Sequence, residues 1–350
     1  MKLLAFIERP DHVCFRYRIA AFEGALAEQG WSLDAVPLAR RSLRRVRQLR
    51  RAGRADAVIL QRKLLPFWQL RILRKSAKTL IYDFDDAVFH RDSYHPKGIR
   101  SWRRLAHFWA TIYAADAVLA GNRSLRDQAA CYVPSDRVRL FPTCVDPHRY
   151  RAAIHRRRAG EAKLIWIGQR STLPSLTQAE PQLAAAAAAV GGLELRVVSD
   201  AFPTLSGIAV APRPWSAATE AAELADADIG VSWLPDDAWS LGKCGLKALQ
   251  FMAAGLPVVA NAVGVHRQMV IHGETGFLAN SADEWAQAVA RLADDPALRA
   301  RFGAAGRGLV EERYSVASQS AELLDLLNRS ARPAATPSAG PRPRAAEAES

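Results

Sequence analysis

The sequence predicts an α/β protein of two domains, each a parallel sheet doubly wound with helices. Two observations carry this reading. Short apolar runs alternate with helical stretches along most of the 350 residues, as in a parallel sheet covered on both faces. The alternation also stops near FPTCVDPHRYR and restarts at Lys163, so the pattern is spelled twice. The charge divides at the same place. Residues 1–160 hold 32 Lys/Arg against 14 Asp/Glu, a net +18, and residues 161–350 hold 16 against 21, a net −5. One domain with one partner would not be expected to split its charge so.

The strands of the first half are expected at Lys2–Ile7, Leu33–Val36, Ala57–Leu60, Thr79–Phe84, Ala117–Ala120 and Val138–Phe141. Those of the second half are expected at Lys163–Ile167, Leu193–Val198, Ile208–Ala211, Ile229–Trp233 and Pro257–Ala260. The first domain then runs over 1–158 and the second over 159–312. A helix within 313–330, centred on Val316–Asn328, follows. Residues 331–350 are Ala/Pro/Ser-rich without large apolar groups and are expected to be a disordered tail.

Composition excludes several classes. At 49% apolar and 24% charged the chain is a globular mixture, not collagen, coiled coil or a disordered polymer. No apolar stretch approaches the ~18 residues of a membrane span. MKLLAFIERP lacks a small-residue cleavage site and makes a poor signal peptide. Cys14, Cys131, Cys144 and Cys244 lie far apart with no paired spacing, so neither a disulfide framework nor a zinc site is suggested and a cytoplasmic setting fits. No GxGxxG follows the first strand, which disfavours a dinucleotide oxidoreductase.

The densest segment is SLGKCGLKALQFMAAGLPVVANAVGVHRQMVIHGETGFLA, Ser240 to Ala279. Ser240, Gly242 and Gly245 precede a helix expected through Ala253. Glycines let backbone amides approach an anion, and a helix N-terminus adds positive potential. Lys243 and Lys247, four apart, are expected on one helix face. The loop can grip a diphosphate; an ordinary solvated helix start is the alternative. A second cluster is IYDFDDAVF, whose Asp83, Asp85 and Asp86 end a strand where open α/β sheets bind ligands. These carboxylates suit orienting or deprotonating an acceptor hydroxyl, or capping a helix.

GKCGLKALQFMAAGLPVVANAVG resembles the donor-binding segment of family-4-type glycosyltransferases of the GT-B fold. It is most similar to a bacterial branch with a Gly-Lys-Cys-Gly-aromatic-Lys motif, Leu246 standing at the aromatic position. IYDFDDAVF, AGNRSL, FPTCVDPHRY, LIWIGQRST and GETGFLA resemble the same branch in the same order. The resemblance implies two Rossmann-like domains facing a cleft, with the C-terminal helix returning to the first domain. It implies a nucleoside-diphosphate-sugar donor, retention of anomeric configuration, and neither cofactor nor catalytic metal. Lys247 would contact the diphosphate, with Lys243, Cys244 and Gly245 around it. Gly168, Ser171 and Thr172 would form the loop near the phosphates, and Arg170 a second cation. Gln250 stands where the family's ribose-binding glutamate is usual, and Gly242 where a second glutamate is usual. Asp236 or Asp237 either substitutes for the latter or belongs to a solvated loop, Gln268 replaces another family glutamate, and His266 is expected at the cleft edge or in solvent. Asp85 and Asp86 are the expected catalytic carboxylates, while His90 and His95 read as loop residues.

Between Arg40 and Lys78 there are 14 Lys/Arg and one acid, Asp56. RRSLRRVRQLRRA, KLLPFWQLRILRK and RSWRRLAHFWATIY interleave these cations with leucine and aromatic residues. That mixture suits an anionic membrane surface and a glycan or lipid-linked acceptor, with peripheral attachment to the inner face of the membrane. A solvated basic face is the alternative, and nucleic acid is disfavoured for lack of an accompanying motif. A nucleotide-sugar-binding scaffold without catalysis and a GT-B-fold epimerase remain as other readings of the whole chain.

Overall fold

A computed structural model of the chain describes residues 1–157 and 159–331. Arg158, at the expected domain boundary, and the expected tail from residue 332 onward lie outside the described residues.

Two parallel six-stranded sheets organise the fold. The first contains β1 (Lys2–Ile7), β2 (Ser32–Pro37), β3 (Ala57–Gln61), β4 (Leu80–Phe84), β5 (Ala117–Ala120) and β6 (Val138–Leu140), in the order β2-β1-β3-β4-β5-β6. The second contains β7 (Lys163–Ile167), β8 (Glu194–Ser199), β9 (Ala209–Pro214), β10 (Ile229–Ser232), β11 (Val258–Ala260) and β12 (Gly276–Leu278), in the order β12-β11-β10-β7-β8-β9. The central strands are buried throughout, which is why they read as continuous apolar runs. β12 was not foreseen: it is a three-residue strand, GFL, too short for any periodicity to mark. β9 runs three residues past its expected end, and Trp233 falls outside β10.

The strand order of each parallel sheet reverses once, at β1/β3 and at β7/β10, and open α/β sheets bind ligands at the carboxyl ends of such strands. Gly168 follows β7 and Arg62 follows β3, so both reversals face chemistry-bearing loops.

The last helix, Val316–Ala331, lies against the first sheet's layer. Leu323 and Leu327 are buried with Leu3, Phe22 and Trp31, and Trp31 Nε1 donates to Asn328 Oδ1 at 3.1 Å. The helix before it, Pro296–Arg313, packs on helix Leu246–Ala253, where Gly306 lets Met252 approach. Among the described residues no helix is long and apolar enough to cross a membrane.

Candidate functional site

The loop after β7 is built from its own residues. Gly168 N donates to Val198 O at 3.0 Å, and a Cβ at Gly168 would overlap the Trp166 ring and lie 2.6 Å from Thr172 Oγ1. The Thr172 hydroxyl donates to Gln169 O at 3.0 Å and accepts from Gln169 N at 3.2 Å, so it shapes the turn. Arg170 N is anchored on Asp200 Oδ1 at 2.7 Å. The Arg170 and Ser171 side chains are exposed and carry no partner among the described residues.

The lysine loop departs from expectation at its helix start. The helix begins at Leu246, because Gly245 sits in the left-handed region at φ 65°, which glycine alone adopts without strain. Lys243 lies before the helix in extended backbone, so the two lysines do not share a helical face. They still converge. Lys247 Nζ sits over the Trp166 ring at 4.9 Å, half-buried, with no ion pair or hydrogen bond among the described residues. Burial, with the Lys243 charge nearby, pushes its pKa down to about 7. Lys243 Nζ lies over Trp239 at 4.5 Å and pairs with Asp86 Oδ1 at 3.0 Å across the cleft.

Cys244 was expected among the donor contacts. The structure instead buries it in the core of the first domain, beside Phe84, Ala87 and Ala120. It plugs one lobe into the other, and burial holds its thiol well above the usual range. The contact is tightened at two glycines. A Cβ at Gly242 would overlap the Ala87 backbone, and one at Gly121 would reach Cys244 Sγ and the Asp85 backbone. Asn122 clamps the same loop. Its Nδ2 donates to Leu241 O at 3.0 Å and Lys243 O at 2.8 Å, while its Oδ1 caps the next helix through Leu125 N at 2.8 Å.

The acidic cluster divides. Asp83 does not face the cleft: it is buried and paired with the equally buried Arg18, with Gln61 Nε2 donating at 3.0 Å. Asp85 and Asp86 are held by Arg62, at 3.2 Å and 2.7 Å. Arg62 also donates to Cys14 Sγ and occupies a left-handed backbone, φ 57°, an uncommon state for a side-chain-bearing residue. Burial alone would raise the Asp85 pKa, but the Arg62 and Arg18 charges outweigh it and hold the carboxyl below its ordinary range. Asp85 is therefore a carboxylate poised to accept a hydrogen bond and a weak base.

Gln250 is drawn into a buried network. Its Nε2 lies 3.0 Å from Glu220 Oε1, 3.1 Å from Tyr17 Oη and 3.3 Å from Tyr150 Oη. Both tyrosine hydroxyls also donate to Glu220, whose other oxygen accepts from Trp215 Nε1 at 2.7 Å. Arg16 stacks over Tyr17 and Trp215. His266, expected at the cleft edge or in solvent, is buried: it bonds Ser232 Oγ at 2.9 Å and Asn261 O at 3.0 Å, and burial pushes its pKa down to about 4. Asp237 caps the turn at Ser240 at 2.8 Å; Asp236 and Gln268 are exposed.

Sequence reasoning missed Arg62, Asn122, Tyr17, Tyr150 and Glu220. Asn122 had a signal, an Asn directly before a helical stretch. The others meet only in three dimensions, Tyr17 and Glu220 being 203 residues apart.

Comparison with known proteins supports the fold. A family model described as "Glycosyl transferases group 1" matches residues 148–295. D-inositol 3-phosphate glycosyltransferase of Pseudarthrobacter chlorophenolicus is 46% identical over 63 residues, 17% of this chain. That match spans only 15% of the relative's own length. Among solved structures, sucrose-phosphate synthase from Thermosynechococcus elongatus aligns with a TM-score of 0.71 at 18% identity, covering 94% of this chain and 98% of that one. Anabaena HepE, solved with UDP and glucose, aligns with a TM-score of 0.66 at 15% identity, covering 94% and 100%. The chain carries the GT-B fold, two Rossmann-like lobes facing a cleft, and Lys243 of one lobe pairs with Asp86 of the other.

Proposed function

We propose that this protein is a glycosyltransferase that moves a sugar from a nucleoside-diphosphate-sugar to a hydroxyl of an envelope glycan or lipid-linked acceptor, with retention of configuration. The observation that carries the reading is the Lys247 amine. It is half-buried, has no anionic partner among the described residues, and stands beside the Gly168 loop at the β7/β10 reversal. A cation kept out of water without a counter-charge is costly unless an anion completes it. A diphosphate does so, joined by the free amides at the start of helix Leu246–Ala253.

In this reading the bond from the anomeric carbon to the diphosphate oxygen breaks, and the acceptor oxygen bonds to that carbon on the same face. The acceptor's proton passes to the departing diphosphate. Lys247 and the helix start stabilise the charge that develops on the leaving group, a contribution of ~3–4 kcal/mol for one well-placed donor. Asp85 and Asp86 act by accepting the acceptor hydroxyl's hydrogen bond, since the Arg62 charge makes Asp85 a poor base. Arg170 and Ser171 are free to meet the phosphates, whereas Thr172 and Gly168 shape the loop. The UDP and glucose bound in the Anabaena neighbour support a nucleoside diphosphate as the leaving group.

A thermal-shift screen of UDP-, GDP-, ADP- and dTDP-sugars, followed by transfer assays with the stabilising donor, tests the proposal. A ligand that binds only the folded chain raises its melting point. A specific observation favours a second reading, a nucleotide-sugar-binding protein without transfer. The Ala87 backbone fills the space a carboxylate at position 242 would need, and Gln250 is already engaged. Donor binding without turnover on any acceptor would select it.

A further inference from the structure

Helices Ser42–Arg50, Phe67–Ser76 and Trp102–Ala114 lie side by side on one face of the first sheet, joined to it through Leu49, Leu73 and Phe108. Their outward side is unusual in two ways. Large apolar side chains stand in water: Leu43 is 81% exposed, Trp102 79%, Tyr113 76% and Phe67 54%. Around them Arg44, Arg47, Arg50, Arg71, Lys75 and Arg103 have no ion-pair partner among the described residues. The nearby acids are already engaged, Asp34 by Lys2 and Arg51, Asp56 by Lys78 and Asp116 by Arg74. At the start of the first helix, Arg40, Arg41 and Arg44 line a surface pocket of about 360 Å³ with Pro37, Leu38 and Gln48. The far end of this face borders the cleft: Arg104 Nε donates to Val88 O at 2.9 Å, two residues from Asp86.

We propose that this three-helix face docks on a bilayer carrying anionic headgroups, and that the pocket of Arg40, Arg41 and Arg44 seats a headgroup phosphate. The charge is complementary to an anionic leaflet, whose potential acts on unpaired surface cations. Leu43, Phe67, Trp68 and Trp102 reach the depth where apolar and aromatic groups rest at the headgroup boundary. Nucleic acid accounts for the arginines but not for an aliphatic Leu43 among them. Bound so, the protein holds the mouth of its cleft at the membrane surface, where a lipid-linked acceptor is presented.

Co-sedimentation of the full chain with phosphatidylcholine vesicles, with and without phosphatidylglycerol, tests this. Binding is expected only with the anionic lipid, and weakened by raising salt from about 0.1 M to 1 M. Arg40→Ala/Arg41→Ala/Arg44→Ala should weaken it on the order of a hundredfold. Leu43→Ser/Trp68→Ser/Trp102→Ser should weaken it with the charge intact. Lys247→Met, which removes the proposed donor contact, should leave vesicle binding unchanged, so failure of the transferase reading is distinguishable. Equal binding to neutral vesicles, displacement by single-stranded RNA, or saturation by free glycerol 3-phosphate would each overturn the proposal.

Discussion

Gln250 donates its side-chain amide to Glu220 at 3.0 Å, with both groups buried and two tyrosine hydroxyls closing the network. The arrangement depends on Gln250 being a donor. A carboxylate at 250, which the resemblance makes the more usual residue, would set two buried acids against each other.

Gln250→Glu is therefore expected to destabilise, not to repair. One carboxyl must take up a proton, so its folded pKa rises above the unfolded value. The folded chain then binds more protons than the unfolded one above that unfolded value, and stability falls as pH rises through it. We expect a loss of about 3 kcal/mol at pH 8 that shrinks markedly near pH 5. Denaturant melts at the two pH values check this; a pH-independent loss would contradict it.

Asn122 performs two jobs that one substitution separates. Asn122→Ser keeps a helix cap through its hydroxyl but loses the two donors to Leu241 O and Lys243 O. The expected result is a small loss of stability, about 1 kcal/mol, with faster amide exchange confined to residues 240–245. Uniform protection of that loop would show that the clamp is not what orders it.

Gly242 is where the lobes meet most closely. Even Gly242→Ala places a methyl group against the Ala87 backbone, which is not a flexible neighbour. We expect the lobes to part, seen as an increased radius of gyration in small-angle scattering, with donor turnover falling about tenfold or more. An unchanged scattering profile with full turnover would remove the close approach from the account.

Much of the fold could be read from the sequence because buried parallel strands are apolar runs bounded by polar breaks, as in Lys2–Ile7 and Lys163–Ile167. β12 escaped because three residues carry no period. The Gly/Lys loop drew attention to the cleft, yet what its neighbours do there depends on the opposite lobe. Cys244 looked like a donor contact and proved a plug because Gly121 and Ala87 leave it a socket. Lys243 looked like half of a helical pair, and the left-handed Gly245 set it outside the helix. No spacing announces Arg62 at a positive φ, or Tyr17 meeting Glu220 from the other lobe.

The Lys247 amine is held at a cost to the empty protein. Its folded pKa, about 7, lies below the ordinary lysine value, so the unfolded chain binds more protons between the two. The penalty is full below pH 7 and is relieved as pH rises toward the unfolded value. Lys247→Met should raise the melting temperature of the empty protein by about 2 °C at neutral pH, while removing the stabilisation a donor confers.

The most direct test is titration calorimetry of the wild-type chain and Lys247→Met with UDP across pH 6 to 9, using buffers of different ionisation enthalpy. Wild-type binding should take up protons near pH 7 and weaken as pH rises, because the diphosphate needs the charged amine; the variant should bind at least tenfold more weakly and take up none. Equal affinity for the two proteins, or wild-type binding indifferent to pH, would contradict the claim that Lys247 receives the diphosphate.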